Sequence, residues 1–529
     1  MNKLLLKYII VTMLMPIILL AQESNINNDV FWNTTNGSSI YSQGGGIFKF
    51  KDPSTGKEKF YWYGVHYKEA ELYKADPSIS FANCSFESVT CYSSTDLVHW
   101  TFEADVLTKE TLEKQDGSKR KWVGRMGVAY IKDANIYALF IQHDKGLLVA
   151  VASTPTGNFT WHNKINMEPY IGTPNTGDQS VFTDEDSGKS YLVYSYGKGR
   201  NKIYISELGI KDGLIGLLDC TQVYKGEGRE GNCMFKYKGK YYLCSSNLYG
   251  WDASLVYYLV ADSIKGPYLP PNEMLVMPGS ALDYAHVTQT GFFYTYKINH
   301  QETVIYCGDR WADFAGNGLG YNQWVPLSFN NKTPIFNSLS AWKFDYQTGN
   351  WSVAVENNYV KNGSFEADRK LIPSNFKPVQ QQLLGWNTIV LEGTPISNDS
   401  GSIILNHNNN LAERRIVIGE KSLLITDKVK FKRNISQLIE STTNVPLKNG
   451  LYTLSAIIKN ETKFNILEMY ALSNGKKYKS DLNNEHTNFT TISIKNIKVQ
   501  NGKVEIGFFA EGNENAACFI DDVSLIIEH

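Results

Sequence analysis

A chain of 529 residues, 42% of them hydrophobic, is longer than one core usually organises and too apolar for disorder, so two or more globular units are expected. Its 52 Lys and Arg against 53 Asp and Glu leave a formal net charge of -1, which gives nucleic acid or an anionic membrane no electrostatic hold and favours a neutral partner. The aromatic share of 13% suits strand-rich folding, and it suits flat rings stacking on sugars as well.

The chain opens with Lys3 and Lys7 ahead of an apolar run that ends at Ala21, which predicts a secretory signal peptide over residues 1–21. That run is short for a membrane span, no later stretch reaches about 18 apolar residues, and no Cys follows the cleavage region to take a lipid. A soluble, secreted or periplasmic protein with no membrane span is therefore expected. The seven Cys show neither a CxxC pair nor a zinc-like spacing with His. They read as small buried residues, with Cys84–Cys91 and Cys233–Cys244 as candidate pairs in an oxidising compartment.

From Ile47 onward one pattern recurs five times: an apolar β-rich run, a turn rich in Asp, Gly, Lys or Asn, and a second β-rich run containing Tyr. The copies begin at Ile47, Val128, Val181, Met234 and Phe292, with successive starts 81, 53, 53 and 58 residues apart. Each alternates with period two and breaks at turn formers such as Asp186-Ser187-Gly188-Lys189, so each reads as a β-hairpin. The spacing leaves room for about four short strands per repeat. An all-β fold is predicted, with a five-bladed β-propeller over residues 30–355. After Trp351 the aromatic hairpins stop while Asn, Lys, Ile and Thr rise, so residues 357–529 read as a separate β-sandwich.

A propeller would gather the first strand of each repeat around one axis, so polar residues just ahead of the hairpins would share a pocket. Those residues are Gln43 with its following glycines, among them Gly45, then Arg125, Asp178, Glu230 and Gln289. Glu230 enters a β run beside Arg229. It is either a general acid, its pKa raised by burial, or one half of a structural Arg–Glu pair. Hydrolysis of a glycosidic bond usually takes two carboxyl groups, and Glu230 and Asp178 are the two that emerge. Tyr249, Trp251, Arg310 and Trp311 are further candidates for lining the pocket, each of which suits core packing equally.

The segments SQGGGI, FYWYG, CYSSTDLVHW, GDQSVFTDEDSGKSYLVYS, REGNCMFKYKGKYYL, YGWDAS and GDRW, taken together and in order, resemble glycoside hydrolase family 43. Within it they are most similar to the branch of exo-β-1,3-galactanases, over roughly Phe31 to Trp351. The resemblance implies that Glu230 is the general acid and that Asp178 positions it and modulates its pKa. It further implies that Gln289 orients the attacking water in an inverting mechanism, in place of a carboxylate base that is absent between Phe31 and Ile47. Two departures stand out: Gly124-Arg125-Met126-Gly127 replaces a Glu-Arg-Pro-Lys run, and Gln43 stands where His is usual. The implied activity is exo-acting hydrolysis of a polysaccharide or oligosaccharide with no cofactor for catalysis, β-1,3-galactan or arabinogalactan first. A terminal arabinofuranose or galactofuranose, or a non-catalytic sugar-binding propeller, are the alternatives.

In the second unit, NGSFE at Asn362 and FIDDVSL at Phe519 resemble jelly-roll carbohydrate-binding modules. That resemblance implies a structural calcium on Glu366 with Asp521 or Asp522; a turn Glu and a solvated Asp pair account for the same residues. Trp386 is either a sugar platform or a core residue.

Overall fold

The computed structural model describes residues 24–76, 78–79, 81, 84–116, 123–143, 145–250, 252–311, 321–367, 383–395, 407–408, 413, 419 and 421–528. The signal peptide read over residues 1–21 and the pocket candidate Trp251 lie outside them. The described chain is all-β apart from short helices, none of which is long and apolar enough to cross a membrane.

All five hairpins are present. Gln43–Lys51 pairs with Glu58–Tyr67, Met126–Ile131 with Ile136–His143, Thr176–Asp184 with Lys189–Tyr196, Glu230–Tyr237 with Lys240–Ser246, and Gln289–Ile298 with Gln301–Arg310. Turn chemistry explains their tightness. In the fourth, Lys238 (φ 45°) and Gly239 (φ 75°) are both left-handed, as a two-residue turn matched to strand twist requires. Each hairpin is extended by further strands into its own antiparallel sheet. The first strands pack in cyclic order, each beside the next, and Gln289–Ile298 packs back on Gln43–Lys51.

Much of the aromatic content proves to be core. Trp62, Trp100, Trp324 and Trp342 are fully buried, and the Trp62 and Trp324 rings lie 4.8 Å apart. Ser24–Asn27 pairs with Ala341–Asp345, so the first unit takes in residues ahead of the expected boundary at 30. All seven Cys are free thiols, six of them buried; Cys233 does sit opposite Cys244 across the fourth hairpin.

The second unit is a sandwich of two five-stranded antiparallel sheets around one core that includes Phe431, Tyr452, Phe508 and Ile520. Gly450–Asn460 shows the cause, since alternate residues from Tyr452 to Asn460 are buried between the sheets. Trp386 belongs to this core: it is 4% exposed and packs on Phe365 and Phe508, so the sugar-platform option does not hold for it.

Candidate active site

The site grows from a local irregularity. Strand pairing slips between Gln43 and Gly46, Thr176 and Gln179, Glu230 and Cys233, and Thr290 and Phe292. A bulge of this kind inserts unpaired residues and re-aims the neighbouring side chains. The sequence permits it because a glycine stands in each slip. Gly231 has φ +60°, and a Cβ on it would lie 2.4 Å from the Thr290 carbonyl oxygen. Its amide, freed from the ladder, donates to Asp178 Oδ2 at 2.9 Å.

These bulges surround a cavity of about 240 Å³ that brings together Arg125, Asp178, Glu230, Gln289 and Trp311, with Gly44, Gln142, Arg200 and Gly250. Val65, Tyr67 and Val123 form an apolar wall. Arg125 sits at the centre. It donates from Nε to Asp178 Oδ2 (3.2 Å), from Nη1 to Asp309 Oδ2 (2.8 Å) and from Nη2 to Gln289 Oε1 (2.6 Å). Arg200 Nη1 donates to Glu230 Oε2 at 2.5 Å and lies 3.3 Å from Asp178 Oδ1. The Gln289 amide is fully engaged: Nε2 donates to Glu230 Oε1 (2.8 Å) and Gly250 O (3.2 Å), while Oε1 also accepts from Trp311 Nε1 (2.9 Å).

The two carboxyls are driven apart. Burial, and next the charge on Asp178, push Glu230 up to about 8 against the pull of Arg200 and Arg125. Burial works against the Asp178 charge too, but Arg200, Arg125 and the Gly231 amide outweigh it and hold that group down at about 2. At neutral pH the site therefore holds one protonated and one ionised carboxyl, the arrangement acid catalysis needs.

Several expected residues lie elsewhere. Gln43 is buried and donates to Arg310 O at 2.8 Å, and Gly45 serves packing, since a Cβ there would overlap the Tyr63 carbonyl. Tyr249 is buried against Tyr284, and the neighbouring Gly250 carbonyl is what reaches the site. Arg310 points away and meets Asp29 at 3.3 Å. Arg229 stacks 4.0 Å over the Tyr257 ring and bonds Glu227 and Asn247, so the arginine that meets Glu230 is Arg200 and not its chain neighbour.

Asp309, within the GDRW segment, is a further residue of the site that the repeat pattern does not mark. It is buried, accepts from Gly44 N at 3.2 Å, and burial raises its pKa while Arg125 opposes the shift. Strand alternation could have found it, because residues 309 and 311 share a face that residue 310 cannot. Arg200 and Gln142 carried no periodic signal.

Gln289 follows an unusual backbone. Tyr284, Ala285, His286 and Val287 all have φ between 47° and 58°, a left-handed turn that costs about 1–2 kcal/mol per residue. His286 clasps it. Ser338 Oγ donates to Asp283, so it accepts from His286 Nδ1 (2.8 Å), while Nε2 faces Asp29 Oδ2 at 3.0 Å. Both ring nitrogens must therefore donate, which makes His286 an imidazolium. Burial opposes that charge, but Asp29 and Asp283 raise the His286 pKa against burial and Lys361, and the Asp29 carboxyl, which Arg310 also touches, is held below its ordinary value. The clasp stabilises the fold below the raised His286 pKa and loses that contribution as pH rises through it; on the acid side it is lost only as pH falls through the lowered Asp29 pKa. Accordingly, the urea-unfolding stability of wild type over His286→Gln should be largest in mildly acidic buffer and shrink toward alkaline pH. A difference independent of pH would refute the clasp.

In the second unit the two motifs do meet: Val523 N donates to Gly363 O at 2.9 Å. Glu366 Oε1 accepts from Lys421 N at 2.6 Å, Asp521 is buried on the last strand, and Asp522 lines a cavity between the two units. Among the described residues no three His, Cys, Asp or Glu side chains are grouped together.

The model for glycosyl hydrolases family 43 matches residues 65–247. Among solved structures, an exo-β-1,3-galactanase from Phanerochaete chrysosporium with β-1,3-galactotriose aligns over 95% of this chain and 99% of its own, at 20% identity and a TM-score of 0.53. An exo-β-1,3-galactanase from Clostridium thermocellum aligns over 95% and 100%, at 18% identity and a TM-score of 0.54. At these identities the likeness establishes a shared fold. No curated protein matches the sequence with comparable significance.

Proposed function

We propose that the chain is a family 43 glycosyl hydrolase, a five-bladed propeller followed by a sugar-module-like sandwich, which is exported and removes one terminal sugar at a time from a plant-type polysaccharide. β-1,3-galactan or arabinogalactan is the first choice of substrate. The observation that carries this reading is Glu230, 5% exposed and bonded to Gln289, its pKa pushed up to about 8 by burial beside an Asp178 that its arginines hold down at about 2. The five consecutive sheets with cyclically packed first strands support the propeller. The cavity of about 240 Å³ is smaller than the ~300–1,000 Å³ that buries a drug-sized ligand, which suits one sugar ring and an exo mode.

In this mechanism Glu230 protonates the departing glycosidic oxygen as the C–O bond breaks, and Asp178 stays charged and keeps Glu230 in its acid form. Gln289 orients the attacking water through Oε1 in this reading. The free site is closed for that step, since Gln289 Nε2 bonds Glu230 directly at 2.8 Å. Inversion needs about 6.5–9.5 Å between acid and base to admit water. Sugar entry must part Gln289 from Glu230, and water must take the place of an Arg125 or Trp311 N–H at Oε1. The same closed bond favours a second reading, a sugar-binding propeller without turnover.

Purified protein incubated with β-1,3-galactan, arabinogalactan and aryl galactosides, arabinofuranosides and galactofuranosides, with released monosaccharide followed by chromatography, separates the two. Release that disappears in Glu230→Gln supports the hydrolase and names its sugar. Binding without release from any of them moves the protein to the second reading. Export rests on the segment 1–21, and N-terminal sequencing of the protein recovered from its native cells tests it.

A further inference from the structure

We propose that the sugar this pocket accepts carries an anionic group, the carboxylate of a terminal hexuronic acid, and that Arg200 selects it. The inference rests on the proposed hydrolase for the cleavage step alone and, within it, puts a uronate-terminated chain in place of neutral β-1,3-galactan as the substrate.

Arg200 closes the turn after the third hairpin, at φ 51°, and its side chain lines the cavity while remaining 31% exposed. Only Nη1 is used, toward Glu230 and Asp178. Among the described residues Nε and Nη2 make no hydrogen bond. That edge of the guanidinium is the one that pairs side-on with a carboxylate through two parallel N–H bonds, and the Nη1 contacts hold it in place before any ligand arrives.

The rest of the pocket is short of free acceptors. Asp178 Oδ1 meets Gln142 and Arg200, and Oδ2 takes Arg125 and the Gly231 amide. Asp309 is held by Arg125 and Gly44, and Gln289 Oε1 already accepts twice. Glu230 is neutral at pH 7, and Val123 and Gly124 add no charge. Arg200 is therefore, among the described lining residues, the cation with N–H groups left over for a ligand. A carboxylate at C6 of a pyranose satisfies that fork; a hydroxymethyl group there supplies no charge and one oxygen.

The test is calorimetric titration of wild type, Arg200→Lys and Glu230→Gln with galacturonate, glucuronate, galactose and galactose 6-sulfate, alongside release from aryl uronides and aryl galactosides. A uronate should bind wild type about tenfold or more tighter than galactose, and Arg200→Lys, which keeps the charge and loses the fork, should weaken the uronate about 10- to 100-fold with galactose moving less than about threefold. Galactose bound as tightly as the uronates, a 6-sulfate preferred to both, or equal losses for every ligand in Arg200→Lys overturns the inference. Galactoside release that depends on Glu230 with no uronate preference leaves the hydrolase standing without it. Uronate selection with no release of any sugar leaves Arg200's role standing and removes the hydrolase.

Discussion

Glu230→Gln should lower kcat by about 10²–10⁴-fold on whichever natural glycoside the protein cleaves, with folding and sugar binding retained. Gln keeps the shape and an oxygen for Arg200 Nη1 but turns its NH2 toward Gln289 Nε2, so the site loses its transferable proton and the bond that closes Gln289 on it. The loss should shrink on aryl glycosides whose leaving group departs without a proton, which separates an acid catalyst from a residue that only shapes the pocket. The wild-type pH profile carries the same signature. Because burial and Asp178 push Glu230 up to about 8, kcat/KM should fall as pH rises through that value and the acid is deprotonated. Stability follows the same sign: a carboxyl whose folded pKa is raised favours the fold below its ordinary value, and that contribution is lost as pH rises through about 8. Glu230→Gln has no such group to ionise, so near pH 9 it should unfold at a higher urea concentration than wild type. A variant within tenfold of wild type on a natural substrate, or wild-type activity still climbing above pH 8, would remove Glu230 from the acid role.

Residues that sit at a fixed phase of a repeating pattern were legible in the sequence. Asp178, Glu230 and Gln289 each stand where a hairpin begins, and cyclic packing of those strands brings all three into one cavity. The hairpins themselves could be read because period-two alternation and turn chemistry are local. What failed was phase within the strand and everything set by the turns. Arg310 and Trp311 were nominated together although neighbours in an extended strand point apart, and Asp309, in phase with Trp311, is the residue that reaches Arg125. Arg200 gave no signal because a polar residue in a Gly-Lys-Gly-Arg turn looks like a solvated loop; only its left-handed backbone and the Glu230 contact reveal it. His286 stands three residues ahead of Gln289, yet its role depends on Asp29, 257 residues away, and such a pairing leaves no local trace. The aromatic content divided as packing demands: the Trp rings at strand centres became core, and Trp311, at a strand end, faces the cavity.

Arg125→Ala should cost about 3–5 kcal/mol of stability at pH 8, because it strands a buried carboxylate. The two acidic partners of Arg125 are not equally exposed to its loss. Asp178 keeps Arg200 and the Gly231 amide, but among the described residues Asp309 keeps only the Gly44 amide, 3.2 Å away. Burial already raises the Asp309 pKa, and without the guanidinium opposing it that pKa must rise further. A carboxyl shifted upward favours the folded state below its ordinary value and loses that contribution as pH climbs, so the deficit of Arg125→Ala relative to wild type should widen between pH 5 and pH 8 in urea unfolding. Adding Asp309→Asn should then recover most of the deficit at pH 8, since the stranded charge is gone, and recover little at pH 5. A deficit equal at both pH values, with no recovery in the double variant, would mean that Arg125 acts through packing against Trp311, whose ring lies 5.6 Å from its guanidinium, and not through the carboxylates it joins. Catalysis should not return with stability. Arg125 Nη2 is one of the two protein donors on Gln289 Oε1, so the double variant is expected to fold with Gln289 free to turn and to remain well below wild-type turnover.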